Sequence, residues 1–517
     1  MKHQTTLSVQ PSDGRIDVAA LLQRRPNLVL VLLAGYFLLN LIVRLSLPDS
    51  LEIDEAEQIF VSQWLALGYD TQPPFYNWLQ YGVIALFGVS IPAIAVFKNL
   101  VLFSFYAFYW FAARQVLQSR QLAIIAVLGL LTIPQVVYES QRDLTHTVGA
   151  IFCASMFLYG FLRTLRAPTI FSYALTGLAI GCGLIAKYNF ALLTSAALIA
   201  VLLDPDLRKR LFDWRLLVTA VIALTVVTPH SLWLFDNLEL ASARTLEKMQ
   251  GTTDTSIFLQ IPKGFLSYVL ALLGFGALTF FCFWLTFKEA LIKSLTAQSQ
   301  WTRLIGRILA MVLGFIVLLI LFADAENIKD RWLTPFLILL PLYFALKLEA
   351  AGNVPDNALK RFLPIAFIIM AIVPLVLFSR SKVAYLTGYY EKLNVPYAAF
   401  TQTLADEIGK TPAIVIAGDP HLGGNIRLHM PDVPIDTLFY PGYKPAYEWT
   451  ADHPIVFAWR RRGEPDPAPP EDLSNWLKTI AGPDARIEAK DVALPYINGR
   501  PGDLYHFSYA VVYPKAG

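Results

Sequence analysis

Four carboxylates crowd one short stretch, L-E-I-D-E-A-E-Q-I-F, as Glu52, Asp54, Glu55 and Glu57, and no Lys or Arg occurs from residue 45 to residue 97. Acids without bases beside a long apolar run are either a solvated patch or a group that moves protons. Other polar residues recur at the ends of later apolar runs. Gln72 precedes Pro73-Pro74; Glu139, Arg142, Asp143 and His146 lie in Y-E-S-Q-R-D-L-T-H; Lys187-Tyr188-Asn189 follows; then His230 with Trp233, and Lys329, Asp330 and Arg331 in K-D-R-W-L-T-P. Ionisable residues at membrane depth are costly and usually mark a pathway or a site. Acids and bases converging on one side suit an anionic substrate held by Lys and Arg, with a carboxylate as general base. Plainer readings stand beside these. Asp54 and Glu55 favour a helix N-terminus, Asp143 can cap the span that follows it, Lys187 can snorkel to the interface, Arg331 can be a juxtamembrane base, and His146 and His230 can be satisfied structural histidines.

The elements that must position these groups are membrane spans. The chain has 517 residues, is 56% hydrophobic and only 16% charged, against roughly 25% charged in soluble domains. Its mean hydropathy is +0.50. Apolar runs long enough to cross a bilayer, about 17–25 residues each, recur at roughly 27–47, 92–114, 120–136, 143–163, 170–186, 189–203, 213–235, 265–287, 303–323, 332–348 and 361–379. The expectation is a polytopic α-helical membrane protein of about 11 spans with a C-terminal extramembrane α/β domain. Cys153, Cys182 and Cys282 all fall inside apolar runs and read as small hydrophobes, not as a disulfide framework or a thiolate metal site.

Taken alternately, the connecting segments carry nineteen Lys and Arg on one side and seven on the other, counting Lys2, Arg15, Arg244 and Lys248. The positive-inside rule then puts residues 1–26 in the cytoplasm and the acid-rich loop, 48–91, outside. Within 54–67, Ala56, Phe60, Trp64 and Leu67 form an apolar stripe with Asp54 and Gln58 opposite, which predicts a helix lying on the membrane surface. The proline pair should break any helix, and Tyr76 and Trp78 should anchor at the interface. After the transmembrane part, 27–380, composition changes. Segments 413–417, 455–459 and 508–512 read as strands, and 400–408 and 472–480 as helices, of an outside domain over 385–517.

The order of I-D-E-A-E, Q-P-P-F-Y-N-W-L, an external R-D and G-L-A-I-G-C-G-L-I-A-K-Y-N resembles the GT-C superfamily. Within it the chain is similar to glycosyltransferase family 39, the PMT-like branch that includes protein O-mannosyltransferases, the aminoarabinose transferase of lipid A and rhizobial lipopolysaccharide galacturonosyltransferases. The resemblance covers roughly residues 25–350. It implies a sugar donor on polyprenyl phosphate, an acceptor entering from the periplasm, Asp54 as catalytic general base with Glu55 beside it, and Asp143 as the second-loop acid. The aminoarabinose-transferase branch has Lys before its proline pair; here Gln72 stands there and cannot neutralise a phosphate. Lys187 and Arg331 are the candidates to do so, with Gln72, Tyr188 and His230 also placed at the donor. A divalent metal stays open as cofactor, because acids near a phosphate can share one.

The chemistry of the residues agrees with that reading. A hydroxyl is a poor nucleophile near neutral pH, and a placed carboxylate base accelerates its attack by about 10²–10⁴. The departing phosphate leaves well where cations meet its charge. The expected protein is thus an inverting glycosyltransferase of the bacterial inner membrane. Its acceptor is an envelope lipid or glycan such as lipopolysaccharide core or lipid A; galacturonic acid is the preferred sugar, from the Q-P-P stretch alone, and nucleic acid is no partner. Rival readings are a transporter or flippase for a lipid-linked sugar, which would tend to show internal repeats, a non-catalytic assembly scaffold, and a protein O-mannosyltransferase.

Overall fold

The computed structural model describes residues 17–239 and 257–514, apart from positions 71, 324, 353, 441, 462, 466 and 467. Lys2, Arg15, Arg244 and Lys248, used in the charge comparison, lie outside the described residues. Seven helices are long and apolar enough to cross a bilayer: Leu28–Leu45, Ile91–Val116, His146–Arg166, Leu216–Asp236, Gln260–Phe287, Gln300–Phe322 and Ala358–Ser379. Two bent pairs raise the number to nine if each is one span: Arg120–Thr132 with Gln135–Arg142, bent by 73°, and Asp330–Leu337 with Leu339–Ala351, bent by 41°. Ile170–Leu184 and Phe190–Leu202 are shorter apolar helices. All eleven apolar runs are therefore helical, two of them at only 15 and 13 residues.

The sharper bend has a local cause. Pro134 interrupts the helix and the backbone restarts as a wider π-type turn over Gln135–Glu139, a common origin of kinks. It carries Glu139, Arg142 and Asp143 across one end of the bundle, here termed the loop face. His146–Arg166 is buried on nearly every side at the centre, whereas Leu216–Asp236 faces outward, with Thr219 and His230 its buried residues.

The first long loop differs from expectation in several ways. Its helix is Ile53–Val61, shorter than 54–67. Ala56 and Phe60 are buried, but Phe60 and Val61 belong to the core of the C-terminal domain, so the stripe faces that domain instead of the membrane. Gln58, placed on the polar side, is buried too. The proline pair starts a helix: Pro74 is the N-cap of Phe75–Phe87, a position where a missing N–H costs nothing. Tyr76 is buried, and Trp78 donates from Nε1 to the Ala66 carbonyl at 2.7 Å, so neither is an interface anchor.

The C-terminal domain holds a five-stranded mixed sheet of β1 (Ile414–Ala417), β2 (Ile435–Asp436), β3 (Ile455–Trp459), β4 (Lys490–Pro495) and β5 (Leu504–Val512), in the order β2-β1-β3-β5-β4. β1 runs parallel to β2 and β3; β5 is antiparallel to β3 and β4. The three central strands are those expected from sequence. One sheet face packs Glu471–Ala481 through Leu473 and Leu477. The other packs Tyr397–Ile408 and an unanticipated helix, Pro420–His429, together with Phe60, Val61 and Tyr69 of the first loop.

Candidate active site at the loop face

The two bases that bracket the base-free stretch return to its acids. Arg44, in the last turn of the first span, donates from Nε and Nη2 to the two Glu55 oxygens at 3.2 and 2.9 Å. Lys98, near the start of the second span, lies 3.5 Å from Glu55 Oε1. Burial pushes the Glu55 carboxyl up, but Arg44 and Lys98 outweigh it and hold the group at about 2. Glu55 also accepts the Glu52 N–H in a capping box, which satisfies an otherwise orphan donor. Glu52 in turn meets Arg380, just beyond the last span, at 2.6 Å; burial still leaves it above the usual carboxylate range. Three cations from three spans thus fix the N-terminal end of the Ile53–Val61 helix. The structure spends Glu55 on this anchorage.

Asp54 and Asp143 cap each other's helices. Asp143 Oδ1 accepts the Asp54 N–H at 2.8 Å, at the start of Ile53–Val61. Asp54 Oδ2 accepts the Thr145 N–H at 3.0 Å, at the start of His146–Arg166. Asp143 therefore caps the first-loop helix and not the span after it. Lys98 Nζ donates to the Asp143 carbonyl at 2.8 Å and so ties this turn to Glu55. Burial first, then the Asp54 and Glu52 carboxylates, push Asp143 up to about 8. The two side chains are thus fixed by reciprocal bonds to backbone N–H groups. Behind them, Gln58 donates to Asn77 Oδ1 at 2.8 Å and lies 3.4 Å from His146 Nε2, so His146 belongs to the packing under the helix.

Lys187 stands opposite the aspartates. Its Nζ donates to Thr147 Oγ1 at 3.0 Å and to the Arg331 carbonyl at 3.3 Å, which leaves a third N–H. Burial, then Arg331, push it down to about 8 against the pull of Asp54. The Lys-Tyr turn is tied to the proline pair by the bond from Phe75 N to Ile185 O, 2.9 Å. Tyr188 and His230 form a latch. The Leu67 carbonyl, 2.8 Å from His230 Nδ1, can only accept. Nδ1 therefore carries the proton and Nε2 accepts from the Tyr188 hydroxyl at 3.0 Å. Trp233 stacks on His230 and seals Gly68, where a Cβ would lie 2.2 Å from its ring. Gln72 is half-buried, its N–H bonded to the Tyr69 carbonyl at 3.0 Å.

A cavity of about 660 Å³ opens beside these groups, lined by Leu144 next to Asp143, by Glu139, Lys329, Asp330 and Arg331, and on its apolar side by Leu270, Ala271 and Gly274. Gln135, also in the wall, donates to Asp330 Oδ2 at 2.7 Å. One wall is charged and the other is the apolar flank of a span, which suits an amphiphile with an anionic head. The structure thus brings together Asp54, Glu55, Asp143, Lys187 and Arg331, and sets Tyr188 and Gln72 in the loops behind them, with His230 on the helix Leu216–Asp236. Among the described residues no three His, Cys, Asp or Glu side chains converge as a metal set. Sequence reasoning missed Arg44, Lys98 and Arg380. The base-free stretch pointed to its two flanking bases, Arg44 and Lys98, but nothing in the sequence pointed to Arg380.

This chain tracing recurs in solved structures. ArnT from Cupriavidus metallidurans superposes with a TM-score of 0.59 in its apo state, at 13% identity over 93% of this chain and 97% of that one. The same enzyme bound to undecaprenyl phosphate gives 0.61 at 14% identity and the same coverage. The fold class is therefore that of the GT-C integral-membrane glycosyltransferases. Residues 71–233 match the family described as dolichyl-phosphate-mannose-protein mannosyltransferase. Lipopolysaccharide core galacturonosyltransferase RgtB of Rhizobium johnstonii is 49% identical over 484 residues, 94% of this chain and 97% of that protein. RgtA of the same organism, also a lipopolysaccharide core galacturonosyltransferase, is 44% identical over 489 residues, again 94% and 97%. The chain belongs to this PMT-like GT-C family, and it is a glycosyltransferase.

Proposed function

We propose that the protein transfers galacturonic acid, with inversion, from a polyprenyl-phosphate donor to the core of lipopolysaccharide. The observation that carries this is the pairing of Asp54 and Asp143 beside a half-apolar cavity, with Lys187 and Arg331 across from them. The names of the 44–49% identical relatives support the sugar and the acceptor. The excess of Lys and Arg on the opposite segments supports a periplasmic loop face, a cytoplasmic N-terminus and residence in the bacterial inner membrane.

In this reading the polyprenyl chain lies along Leu270, Ala271 and Gly274, and its phosphate meets Lys187 and Arg331. The acceptor hydroxyl attacks the anomeric carbon from the face opposite the phosphate. Its proton passes to Asp54, whose Oδ2 is already oriented by the Thr145 N–H. The bond from the anomeric carbon to the phosphate oxygen breaks, and polyprenyl phosphate leaves as a monoester with both electrons. Lys187 and Arg331 stabilise that growing charge. Asp143 sets the start of the Asp54 helix, and Glu55 acts as its anchor. Tyr188 and His230 hold the loop that carries Gln72.

The test is Asp54→Asn assayed with polyprenyl-phosphate-linked galacturonic acid and isolated lipopolysaccharide core. Turnover should fall by about 10²–10⁴, with binding of the bare carrier retained. Undiminished turnover would remove Asp54 from the reaction. Mass spectrometry of lipopolysaccharide from cells with and without the protein should show loss of a hexuronic acid from the core; a loss on protein, or of another sugar, would overturn the assignment.

A further inference from the structure

We propose that the helix Pro420–His429 of the C-terminal domain is a splint for the Asp54 helix, with Arg427, Asn425 and His421 as positioning residues for the transfer; this rests on the role given to Asp54 above. The two helices lie side by side and are joined at both ends and in the middle. At the start, the Leu51 N–H donates to Asn425 Oδ1 at 2.9 Å, and the Leu51 carbonyl lies 2.8 Å from His421 Nε2. The tautomer follows from the partners. Arg460 Nη2, which can only donate, is 2.8 Å from His421 Nδ1, so Nε2 carries the proton and donates to Leu51. Midway, Gly424 sits on the Ala56 backbone; a Cβ there would lie 2.0 Å from the Ala56 carbonyl oxygen. Any side chain at 424 would push the helix away, two residues from Asp54.

At the far end Arg427 Nη1 donates to the Ile59 carbonyl, to Phe60 O at 3.4 Å and to Ser62 Oγ at 2.8 Å. The last carbonyls of a helix lack intrahelical donors and carry its negative pole. A guanidinium there serves both needs. Arg427 is buried, and among the described residues it forms no ion pair with an acid, so a desolvated charge is committed to these carbonyls. Removing an ion from water is costly unless polar groups compensate it. Domain cohesion does not demand such an arrangement, since the same face already packs Phe60, Trp64, Tyr440 and Tyr443.

The consequence concerns geometry at Asp54. Its helix is held from below by Arg44 and Lys98 through Glu55 and from above by the splint. A displacement of about 1 Å at a reacting group can cost about 10² in rate. The C-terminal domain is therefore part of the catalytic apparatus and not a separate binding module.

The test uses full-length protein in lipid nanodiscs, with polyprenyl phosphate as the binding probe and transfer from polyprenyl-phosphate-linked galacturonic acid as the activity. Arg427→Met should lower kcat about ten- to a hundred-fold while the Kd for polyprenyl phosphate changes less than about two-fold, and Arg427→Lys, which can still reach the carbonyls, should recover part of the loss. Leu473→Ala, in the core on the opposite sheet face, controls for general damage: it should lower the thermal midpoint and leave kcat near wild type. Wild-type kcat in Arg427→Met, or an equal loss of kcat in Leu473→Ala at matched stability, overturns the splint. Failure of the underlying reading is distinct, because Asp54→Asn would then be active as well.

Discussion

Replacing Glu55 by Gln separates an anchor from a proton carrier. The carboxylate is 3% exposed and faces two buried cations, Arg44 at 2.9 Å and Lys98 at 3.5 Å. Gln keeps the shape and one acceptor but removes the charge, leaving both cations unpaired. Breaking a buried pair from one side costs about 3–5 kcal/mol. The carboxyl's own titration leads to a similar figure. A group held at about 2 instead of 4.5 contributes on the order of 3 kcal/mol, at ~1.4 kcal/mol per pH unit. Because that pKa is depressed, the contribution is complete above about 4.5 and is lost as pH falls toward 2. The wild type should therefore be more stable than Glu55→Gln by about 3 kcal/mol at pH 7, measured by denaturant or thermal unfolding in detergent, and the gap should close in strong acid. Turnover should fall as well, through disorder at the start of the Asp54 helix, and Arg44→Met should reproduce both losses. A Glu55→Gln protein as stable as wild type but inactive would refute the anchorage and return Glu55 to proton transfer.

Substitutions at three further residues probe the charged groups of the site. Asp143 is raised by burial and its neighbouring acids to about 8, so its contribution is complete below about 3.8 and is lost as pH rises through about 8. Asp143→Asn should therefore unfold at a higher temperature than wild type at pH 9, while transferring sugar more slowly; an unchanged pH–stability profile would contradict the burial of that carboxyl. Lys187 is pushed down to about 8, so donor affinity should weaken as pH rises through that value. Lys187→Arg should flatten the dependence, and Lys187→Met should raise the donor KM by about 10–100-fold, the worth of one charge-assisted hydrogen bond. Arg331→Met should act on the same constant, and unchanged kcat and KM in either variant would move the phosphate elsewhere.

The contrast between what was legible and what was not follows residue by residue. Each apolar run is helical because hydropathy over about twenty residues is a local property that the bilayer reads directly. The three central strands carry the same kind of local signal, short apolar runs between turns. β2, with two residues, and the helix Pro420–His429, with Gly423-Gly424 at its centre, fall below that signal, since glycine is a poor helix former. The acids of the first loop stood out in the sequence as a cluster without bases, and the order of the loop motifs along the chain was enough to suggest the family.

Partnership was not legible. Arg44, Lys98 and Arg380 look in sequence like ordinary bases at the ends of spans, yet Glu55 and Glu52 receive them. The apolar face of Ile53–Val61 looks the same whether lipid or a protein domain covers it. Only closure of the chain decided that Phe60 packs beneath a sheet more than 350 residues away. Asp143 likewise caps the helix of Asp54, 89 positions earlier, and not its own. The amino-acid sequence by itself determined what each segment prefers to touch, because that is a matter of transfer free energy and backbone propensity. Which charge meets which, and which helix each carboxyl caps, depends on distances that exist only after distant segments meet.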